Sequence, residues 1–208
     1  MSVRQFEDER WLSTDQKLEY RHREALALVT AGTALDVGCG DGLLLKLLKE
    51  KGIEAEGVDI SAAGVAKCVA AGFAAKLHSV DEPLPYPDGS FDTVILLDIL
   101  EHVYDPEAVL ADAARVACTN VIVSVPNFSS FPARVQTMLG RVPENNRPQK
   151  GHLYWFNDTI LKQIAARAHL KIETMRMNTF SPFSKLGIPP SVWPNGLALS
   201  FVARLIKK

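Results

Sequence analysis

From residue 33 onward the chain alternates short apolar segments with helical segments, and this alternation constrains the fold more than any other feature. Such a pattern is typical of βαβ units, in which crossover helices join parallel strands. The predicted strands cover residues 33–37, 54–58, 75–80, 91–97 and 121–125. The sequence therefore predicts an α/β fold, with a Rossmann-like, doubly wound and mostly parallel sheet that carries helices on both faces.

The regular alternation stops over residues 128–151, where FPARVQTMLG could form one short helix and VPENNRPQKG is polar, basic and turn-rich. Segments of this kind are often insertions that form a lid or a substrate loop. Beyond it, the pattern predicts a helix over 158–169 and strands over 171–179 and 197–206. These complete a predicted seven-stranded sheet with an antiparallel last strand.

The length of 208 residues fits a single domain, residues 1–208. With 47% hydrophobic and 23% charged residues, the composition is that of a soluble globular protein, and no apolar run is long enough for a membrane span. Charges alternate through the first eleven residues, where an export signal would be apolar, so we expect a cytoplasmic protein with no membrane partner. Residues 1–31 are predicted to form an N-terminal segment, helical over 13–30, that packs over the ligand-binding edge of the sheet.

The chain has three cysteines, Cys39, Cys68 and Cys118. They are far apart, form no CxxC motif and have no histidine nearby at ligand spacing. The sequence therefore predicts neither a disulfide framework nor a metal site.

A glycine-rich turn directly follows the first predicted strand. In the segment ALDVGCGDG, Gly38, Gly40 and Gly42 lie between that strand and the next helix, with Asp36 just ahead of them. Glycine adopts backbone conformations barred to other residues and lets a ligand approach the main chain closely. A nucleotide or a nucleoside is expected to lie against such a turn, at the carboxyl ends of the strands.

An acidic residue ends the second predicted strand. Asp59 lies 19 residues after Gly40, where a carboxylate can accept both hydroxyl hydrogens of a ribose. The spacing GxGxG differs from the GxGxxG of dinucleotide-binding enzymes, and Asp36 would repel a pyrophosphate but attract a sulfonium or ammonium group. These features favour a cationic nucleoside; the simpler alternative is an ordinary strand–turn–helix in which the glycines only make the bend.

The chain resembles the class I S-adenosylmethionine-dependent methyltransferases. LDVGCGDG is similar to the first motif of that family, GVDIS to its ribose-binding acidic motif, and LPYPDGSFDTVILLDILEHV to the segment through its fourth strand. IVSVPN and GHLYWF resemble the methyltransferase type 11 branch and, more narrowly, the MetW-like proteins. The resemblance covers most of residues 33–180. It implies S-adenosylmethionine as cofactor, S-adenosylhomocysteine as product, and transfer of a methyl group to an acceptor.

The resemblance also implies a set of cofactor-binding residues within the matched motifs. They are Asp36, Gly38, Cys39, Gly40, Gly42, Asp59, Ile60, Asp81 and Asp98. Of these, Asp36 would lie near the methionine amino group, Asp59 at the ribose, and Asp98 beside the transferred methyl. Ile60 would lie beside the adenine, as would Asp81, although the register slips by one residue at Asp81.

Methyl transfer from a sulfonium is an in-line displacement, which a dry pocket promotes by orienting two reactants, so a catalytic base is optional. A hydroxyl acceptor needs help with its proton, and histidine suits that task near neutral pH. His102 follows the fourth strand beside Glu101, and His152 follows the insertion. We predict either as the base. The alternative is that His102 packs beneath the next helix and His152 only holds its loop.

The formal net charge of -1 is the sum of two oppositely charged parts. Residues 1–127 carry 11 basic and 21 acidic side chains, a net -10, whereas residues 128–208 carry 12 and 3, a net +9. The basic part is expected to attract a small anionic acceptor. Nucleic acid ranks below it because the basic residues form no continuous stripe. Aromatic side chains that flank the insertion are candidates for the acceptor pocket: Phe128, Phe131, Tyr154, Trp155 and Phe156.

Two further functions stay open. MetW-like proteins are tied to methionine biosynthesis rather than to a defined acceptor, so the chain could instead be a cofactor-binding regulatory partner with little transfer activity of its own. A nicotinamide-dependent oxidoreductase is disfavoured by the GxGxG spacing and by Asp36. The sequence also leaves open a homodimer or an enzyme partner.

Overall fold

A computed structural model of the chain describes residues 3–13, 15–30, 32–147, 150–179 and 181–208. The strands within these ranges form one seven-stranded sheet. They are β1 (Thr33–Val37), β2 (Glu54–Asp59), β3 (Ala74–Leu77), β4 (Phe91–Leu97), β5 (Ala117–Pro126), β6 (Leu170–Thr179) and β7 (Ala198–Lys207). Their order is β3-β2-β1-β4-β5-β7-β6. The first five strands pair in parallel, and β7 runs antiparallel to both of its neighbours. The predicted fold class is confirmed.

Helices precede, connect and follow these strands. They are α1 (Val3–Ser13), α2 (Tyr20–Leu28), α3 (Leu43–Glu50), α4 (Ala62–Ala70), α5 (Pro106–Val116), α6 (Phe131–Met138), α7 (Asp158–Arg167), α8 (Ser181–Lys185) and α9 (Pro194–Leu197). The predicted N-caps are confirmed for α4, where the Ser61 hydroxyl accepts from Gly64 N, and for α5, where the Asp105 carboxylate accepts from Ala108 N. Among the described residues, no helix combines the length and the apolar character that crossing a lipid bilayer requires.

The apolar core lies on both faces of the sheet. Successive side chains of a strand point to opposite faces, so Ile95 of β4 packs with α2 and α3, whereas Val94 and Leu96 pack with α5 and α7. Both faces of β4 are therefore covered, which explains why its sequence FDTVILL is nearly continuously apolar. The site described below lies at the carboxyl ends of these central strands.

The N-terminal segment differs from the prediction of a helix over residues 13–30. The helices are instead α1 and α2, and residues 15–19 between them are not helical. A tertiary contact explains the break, because Gln16 N donates to Asp41 Oδ2 at 2.7 Å in the glycine turn. A capping box between Glu19 and His22 then starts α2. Residues of both helices line the cavity at the carboxyl ends of the strands.

Two strand boundaries also differ from the prediction. β3 ends at Leu77 rather than at residue 80, because its neighbour β2 ends at Asp59, the residue paired with Leu77. Residues 78–80 therefore leave the sheet and line the site. β5 starts earlier than predicted, at Ala117, because Ala117 pairs with Phe91 and Asn120 pairs with Ile206 despite the polar sequence there.

Candidate active site

A cavity of about 650 Å³ opens at the carboxyl ends of β1, β2 and β4. This volume lies within the range of small-molecule sites. Its walls come from these strand ends, from α1, from residues 78–81, from Asn145 and Lys150 of the insertion, and from His152 and Leu153 just after it. The cavity therefore brings together the two oppositely charged parts of the chain.

The three glycines of the turn all have positive φ angles, 81° at Gly38, 55° at Gly40 and 87° at Gly42. Other residues rarely adopt this backbone conformation. Only Gly38 lines the cavity. A Cβ atom on Gly40 would lie 2.5 Å from a ring carbon of Trp11, and one on Gly42 would meet Cys68 Sγ at 3.0 Å. The tight turn is required, but Gly40 and Gly42 face protein.

Cys39 lies in the same turn but points away from the cavity. Its Sγ is 3.8 Å from Cys68 Sγ, in a small apolar cluster with Leu45 behind the turn. Cofactor contact through the Cys39 side chain, which the resemblance implies, does not fit this orientation, because the thiol is buried on the side of the turn that faces α4.

Asp36 lies at the base of the cavity with 3% of its surface exposed. Burial raises the pKa of its carboxyl from 3.8 to about 8, and the nearby charge of Asp59 adds to the rise. A buried carboxyl with a raised pKa favours a cation beside it, since a positive charge restores the ionised form.

Asp59 is held by two backbone donors. Its Oδ2 accepts from Gly40 N at 2.7 Å and its Oδ1 from Ser61 N at 2.8 Å. Burial nevertheless raises the pKa of this carboxyl, and the two hydrogen bonds partly oppose the rise. Asp59 lines the cavity, so it both ties the glycine turn to the start of α4 and offers carboxylate oxygens to a ligand.

Asp98, at the end of β4, has a φ of 55°, which is unusual for a residue other than glycine. Ser124 holds this conformation, since its hydroxyl donates to Asp98 Oδ1 and also accepts from Asp98 N. Arg21 Nη1 lies 3.0 Å from Asp98 Oδ2. A strained backbone that is fixed by several contacts is typical of functional sites.

The remaining predicted cofactor residues, Ile60 and Asp81, also line the cavity. Ile60 is half-buried and directly follows β2, whereas Asp81 is exposed and follows the residues that leave β3. The structure thus gathers Asp36, Gly38, Asp59, Ile60 and Asp98 around one space, with Asp81 at its exposed edge.

Helix α1 forms a roof over this space. Phe6, Glu7, Arg10 and Trp11 all line the cavity. Asp8 fixes the roof to the start of α4, because its Oδ1 accepts from Ser61 Oγ at 2.6 Å and from Ala63 N at 3.2 Å. These residues were not among the predicted site residues; the only signal for them in the sequence is Trp11, a large apolar residue in a charged segment.

The two candidate bases meet although 50 positions separate them. The rings of His102 and His152 lie 4.8 Å apart between centroids, edge to face, and both line the cavity. Burial lowers the pKa of each histidine below 6.5. Near both rings lies Glu101, a buried carboxyl whose pKa is raised well above its usual value by burial and by the charge of Asp98. In the sequence, Glu101 stood out only as a neighbour of His102.

The five aromatic candidates that flank the insertion, and most of its described basic residues, lie outside the cavity. Phe156 is fully buried in the core, Trp155 is exposed, and Phe128 packs its ring edge against His152 at 5.4 Å. Arg134 stacks on Trp193. Of the basic residues in the described part of the insertion, Lys150 is the one that lines the cavity.

Comparison with known proteins matches residues 20–195 to the family described as "Methionine biosynthesis protein MetW". The chain belongs to the MetW family. The MetW match includes the glycine turn, Asp59, Asp98 and both histidines, whereas the roof helix α1 precedes it.

The MetW chain is also similar to curated methyltransferases. It is 32% identical over 123 residues to a ubiquinone biosynthesis O-methyltransferase of Methylococcus capsulatus, with 52% of each chain covered. The chain therefore spans about half the length of that relative. A ubiquinone biosynthesis O-methyltransferase of Chromobacterium violaceum is 24% identical over 177 residues, which cover 77% of this chain and 73% of the relative.

Solved structures share the fold of this MetW chain. The magnesium protoporphyrin IX methyltransferase of Synechocystis, crystallised with bound S-adenosylhomocysteine, superposes with a TM-score of 0.70. The superposition covers 99% of this chain and 98% of that chain at 17% sequence identity. The fold is that of the S-adenosylmethionine-dependent methyltransferases.

Proposed function

We propose that the chain binds S-adenosylmethionine in the cavity and transfers its methyl group to a small acceptor. One observation carries this proposal: the cavity joins five cofactor-binding candidates from β1, β2 and β4 with the candidate bases His102 and His152. Support comes from the curated relatives, which are named as methyltransferases.

The residues present fit this cofactor. Asp36 is a buried carboxyl that favours a cation, and S-adenosylmethionine carries both an ammonium and a sulfonium group. Asp59 keeps lone pairs for hydroxyl donors beyond its two backbone bonds, since each carboxylate oxygen accepts more than one hydrogen bond. Gly38 allows the ligand to approach the main chain.

When bound, S-adenosylmethionine supplies an electrophilic methyl group on a positively charged sulfur. The residues of the chain orient the reactants and limit the access of water. Helix α1 covers the cavity from above, and the insertion closes one side. His102 and His152, whose lowered pKa values keep them neutral near pH 7, are placed to accept a proton from the acceptor.

The acceptor side of the cavity carries both signs of charge. Lys150 supplies a positive side chain near the histidines, which favours an anionic acceptor, whereas Asp98 and Glu101 contribute carboxyl groups. The names of the relatives from Methylococcus and Chromobacterium support oxygen as the methylated atom.

Calorimetry with S-adenosylhomocysteine and with NADH tests the cofactor. We expect one equivalent of S-adenosylhomocysteine to bind and NADH to bind at least a hundredfold more weakly, because NADH brings no cation to Asp36 and the GxGxG turn differs from the GxGxxG of dinucleotide-binding enzymes. Transfer from radiolabelled S-adenosylmethionine to a panel of phenols, carboxylates and amines then tests turnover. Tighter binding of NADH than of S-adenosylhomocysteine would overturn the proposal.

A second candidate function is a cofactor-binding regulatory partner of a methionine-pathway enzyme. The family description names that pathway. An exposed apolar surface on and beside α6 favours a protein partner, and it includes Val135, Met138, Leu139 and Val142, with Met138 86% exposed. Recovery of one stoichiometric enzyme partner, together with no turnover on the acceptor panel, would favour this candidate over the first.

A further inference from the structure

We propose that Glu101, His102 and His152 form a binding site for a divalent transition-metal ion in the wall of the cavity. Each of the three offers one ligand atom, and these atoms all lie within 4.8 Å of one another. The sequence predicted no metal site, because its cysteines form no CxxC motif and have no histidine nearby at ligand spacing. Two of these ligands are neighbours in sequence, and the third comes from the other side of the insertion.

A backbone carbonyl holds one ring nitrogen of each histidine. His102 Nδ1 lies 3.2 Å from Gly151 O, and His152 Nδ1 lies 2.8 Å from Asn145 O. A carbonyl oxygen only accepts hydrogen bonds, so each Nδ1 carries the proton and each Nε2 keeps its lone pair. Metal-binding histidines commonly use their second nitrogen in this way, which fixes both the tautomer and the ring orientation.

Glu101 supplies a buried carboxylate oxygen that needs a partner. The residue is 1% exposed, and its Oε2 has no hydrogen-bond partner among the residues that the structure describes. Burying such an atom unpaired is costly. A cation between this oxygen and the two imidazoles would satisfy it.

The backbone fixes the distance between the two halves of the site. Glu101 O accepts from Leu153 N at 2.7 Å and from Tyr154 N at 3.0 Å, which ties the segment around His152 to the end of β4. Phe128 packs against the His152 ring, with the two rings nearly perpendicular. The two segments that carry the three side chains are therefore held together before any ion binds.

The donor set selects the class of ion. Two imidazole nitrogens and one carboxylate oxygen suit Zn²⁺, Fe²⁺, Co²⁺ or Ni²⁺, whereas Mg²⁺ and Ca²⁺ prefer oxygen ligands alone. Ligands of a tetrahedral Zn²⁺ lie about 3.4 Å apart. The widest pair must therefore close by about 1.4 Å, which side-chain torsions can supply.

The role of the ion rests on the proposed function. Three protein ligands leave coordination positions open toward the cavity, where an acceptor oxygen would bind. The ion would lower the pKa of that hydroxyl, whose proton would leave to bulk water. With the ion bound, the Nε2 lone pairs of both histidines would coordinate it. Neither histidine would then act as the base, a role that the proposed function gives them in the metal-free protein.

Metal binding is tested directly on the full-length protein. After removal of bound metals with a chelator, Zn²⁺ is titrated by calorimetry, and Co²⁺ is added separately to record its visible absorption. We expect one equivalent of Zn²⁺ to bind and the Co²⁺ spectrum to indicate four- or five-coordinate geometry. Less than half an equivalent of Zn²⁺, or a Co²⁺ spectrum equal to that of the hydrated ion, would overturn the proposal.

Variants assign the site. His102→Ala, His152→Ala and Glu101→Gln should each weaken Zn²⁺ binding at least tenfold, whereas His169→Asn, at an exposed histidine outside the cavity, should not. Equal Zn²⁺ affinity in wild type and in the His102→Ala/His152→Ala double variant would refute the assignment.

S-adenosylhomocysteine binding by the same samples separates the metal-site proposal from the proposed function. If S-adenosylhomocysteine binds and Zn²⁺ does not, only the metal-site proposal fails. If Zn²⁺ binds and S-adenosylhomocysteine does not, only the proposed function fails.

Discussion

The indole of Trp11 lies directly on Gly40, so closely that a Cβ atom on Gly40 would come within 2.5 Å of Trp11 Cζ2. Trp11 is buried, although it belongs to a helix whose other residues are mostly polar. The contact joins the roof helix α1 to the turn at the base of the cavity. Exchange of a ligand in the cavity should therefore depend on how firmly α1 is held.

Trp11→Ala removes this contact. We expect the Kd for S-adenosylhomocysteine to rise about tenfold, or about 1.4 kcal/mol, mainly through faster dissociation, because α1 opens more often. Stopped-flow mixing measures the dissociation rate. Leu12→Ala, at a neighbouring side chain that is 76% exposed, is the matched control and should leave the rate unchanged. An unchanged rate in Trp11→Ala would mean that the roof does not retain the ligand.

Substitution of Asp59 should affect both binding and stability. Asp59→Ala leaves Gly40 N and Ser61 N without their acceptor, at a cost of about 1–3 kcal/mol for each group that stays buried. Asp59→Asn keeps one side-chain oxygen and should lose less stability, yet still bind S-adenosylhomocysteine at least tenfold more weakly. Urea unfolding and calorimetry measure the two effects.

Asp105→Ala serves as the control for Asp59, because it removes an N-cap carboxylate from α5, away from the cavity. It should cost about 1 kcal/mol of stability and leave the affinity for S-adenosylhomocysteine unchanged. If Asp59→Asn kept wild-type affinity, the ribose assignment would be wrong.

Binding of a cationic ligand should release a proton from Asp36. Its pKa of about 8 keeps the carboxyl mostly protonated at pH 7, and a cation beside it lowers that pKa. We therefore expect release of close to one proton at pH 7, and tighter binding as the pH rises toward 8. Calorimetry in buffers of different ionisation enthalpy counts the protons. If Asp36→Asn released as many protons on ligand binding as the wild type, Asp36 would not be their source.

His22 should make the protein less stable in mild acid. The residue is 2% exposed, and its Nδ1 accepts from Glu19 N, so protonation would break the cap of α2. Burial, reinforced by Arg21, lowers its pKa from 6.5 to about 4, against the opposing charges of Glu19, Asp98 and Asp41. Between pH 4 and 6.5 the unfolded chain binds more protons than the folded one, so stability falls as the pH falls through this window. The free energy of unfolding falls by on the order of 3 kcal/mol across the whole window.

Urea unfolding at several pH values measures this dependence in wild type and in His22→Asn, which keeps a side-chain acceptor near Glu19 N. The variant should show a shallower slope between pH 4 and 6.5. The difference in slope is the relevant quantity, since other groups titrate equally in both proteins. Parallel curves would show that His22 does not cause the acid sensitivity.

Local sequence predicted those parts of the structure that local physics controls. The apolar run FDTVILL became β4 with the predicted bounds, and Asp105 with Pro106 started α5 as predicted. The prediction was wrong where a distant contact decided the backbone. The helix predicted over residues 13–30 is interrupted where Gln16 N donates a hydrogen bond to Asp41. Pairing with β4 and β7 extends β5 into a polar segment.

The sequence by itself determined the α/β fold and the place of the cavity. Each signal for them lies within a few neighbouring residues: the alternation of the strands, the glycine turn after β1, and Asp59 at the end of β2. Only the tertiary structure decided what closes the cavity and what lies in its wall. Trp11 reaches Gly40, and His152 reaches His102, through contacts between residues far apart in the chain. Such contacts form only when the assembled sheet brings the loops at the carboxyl ends of its strands together. The resulting burial raises the pKa of Asp36 and of Glu101.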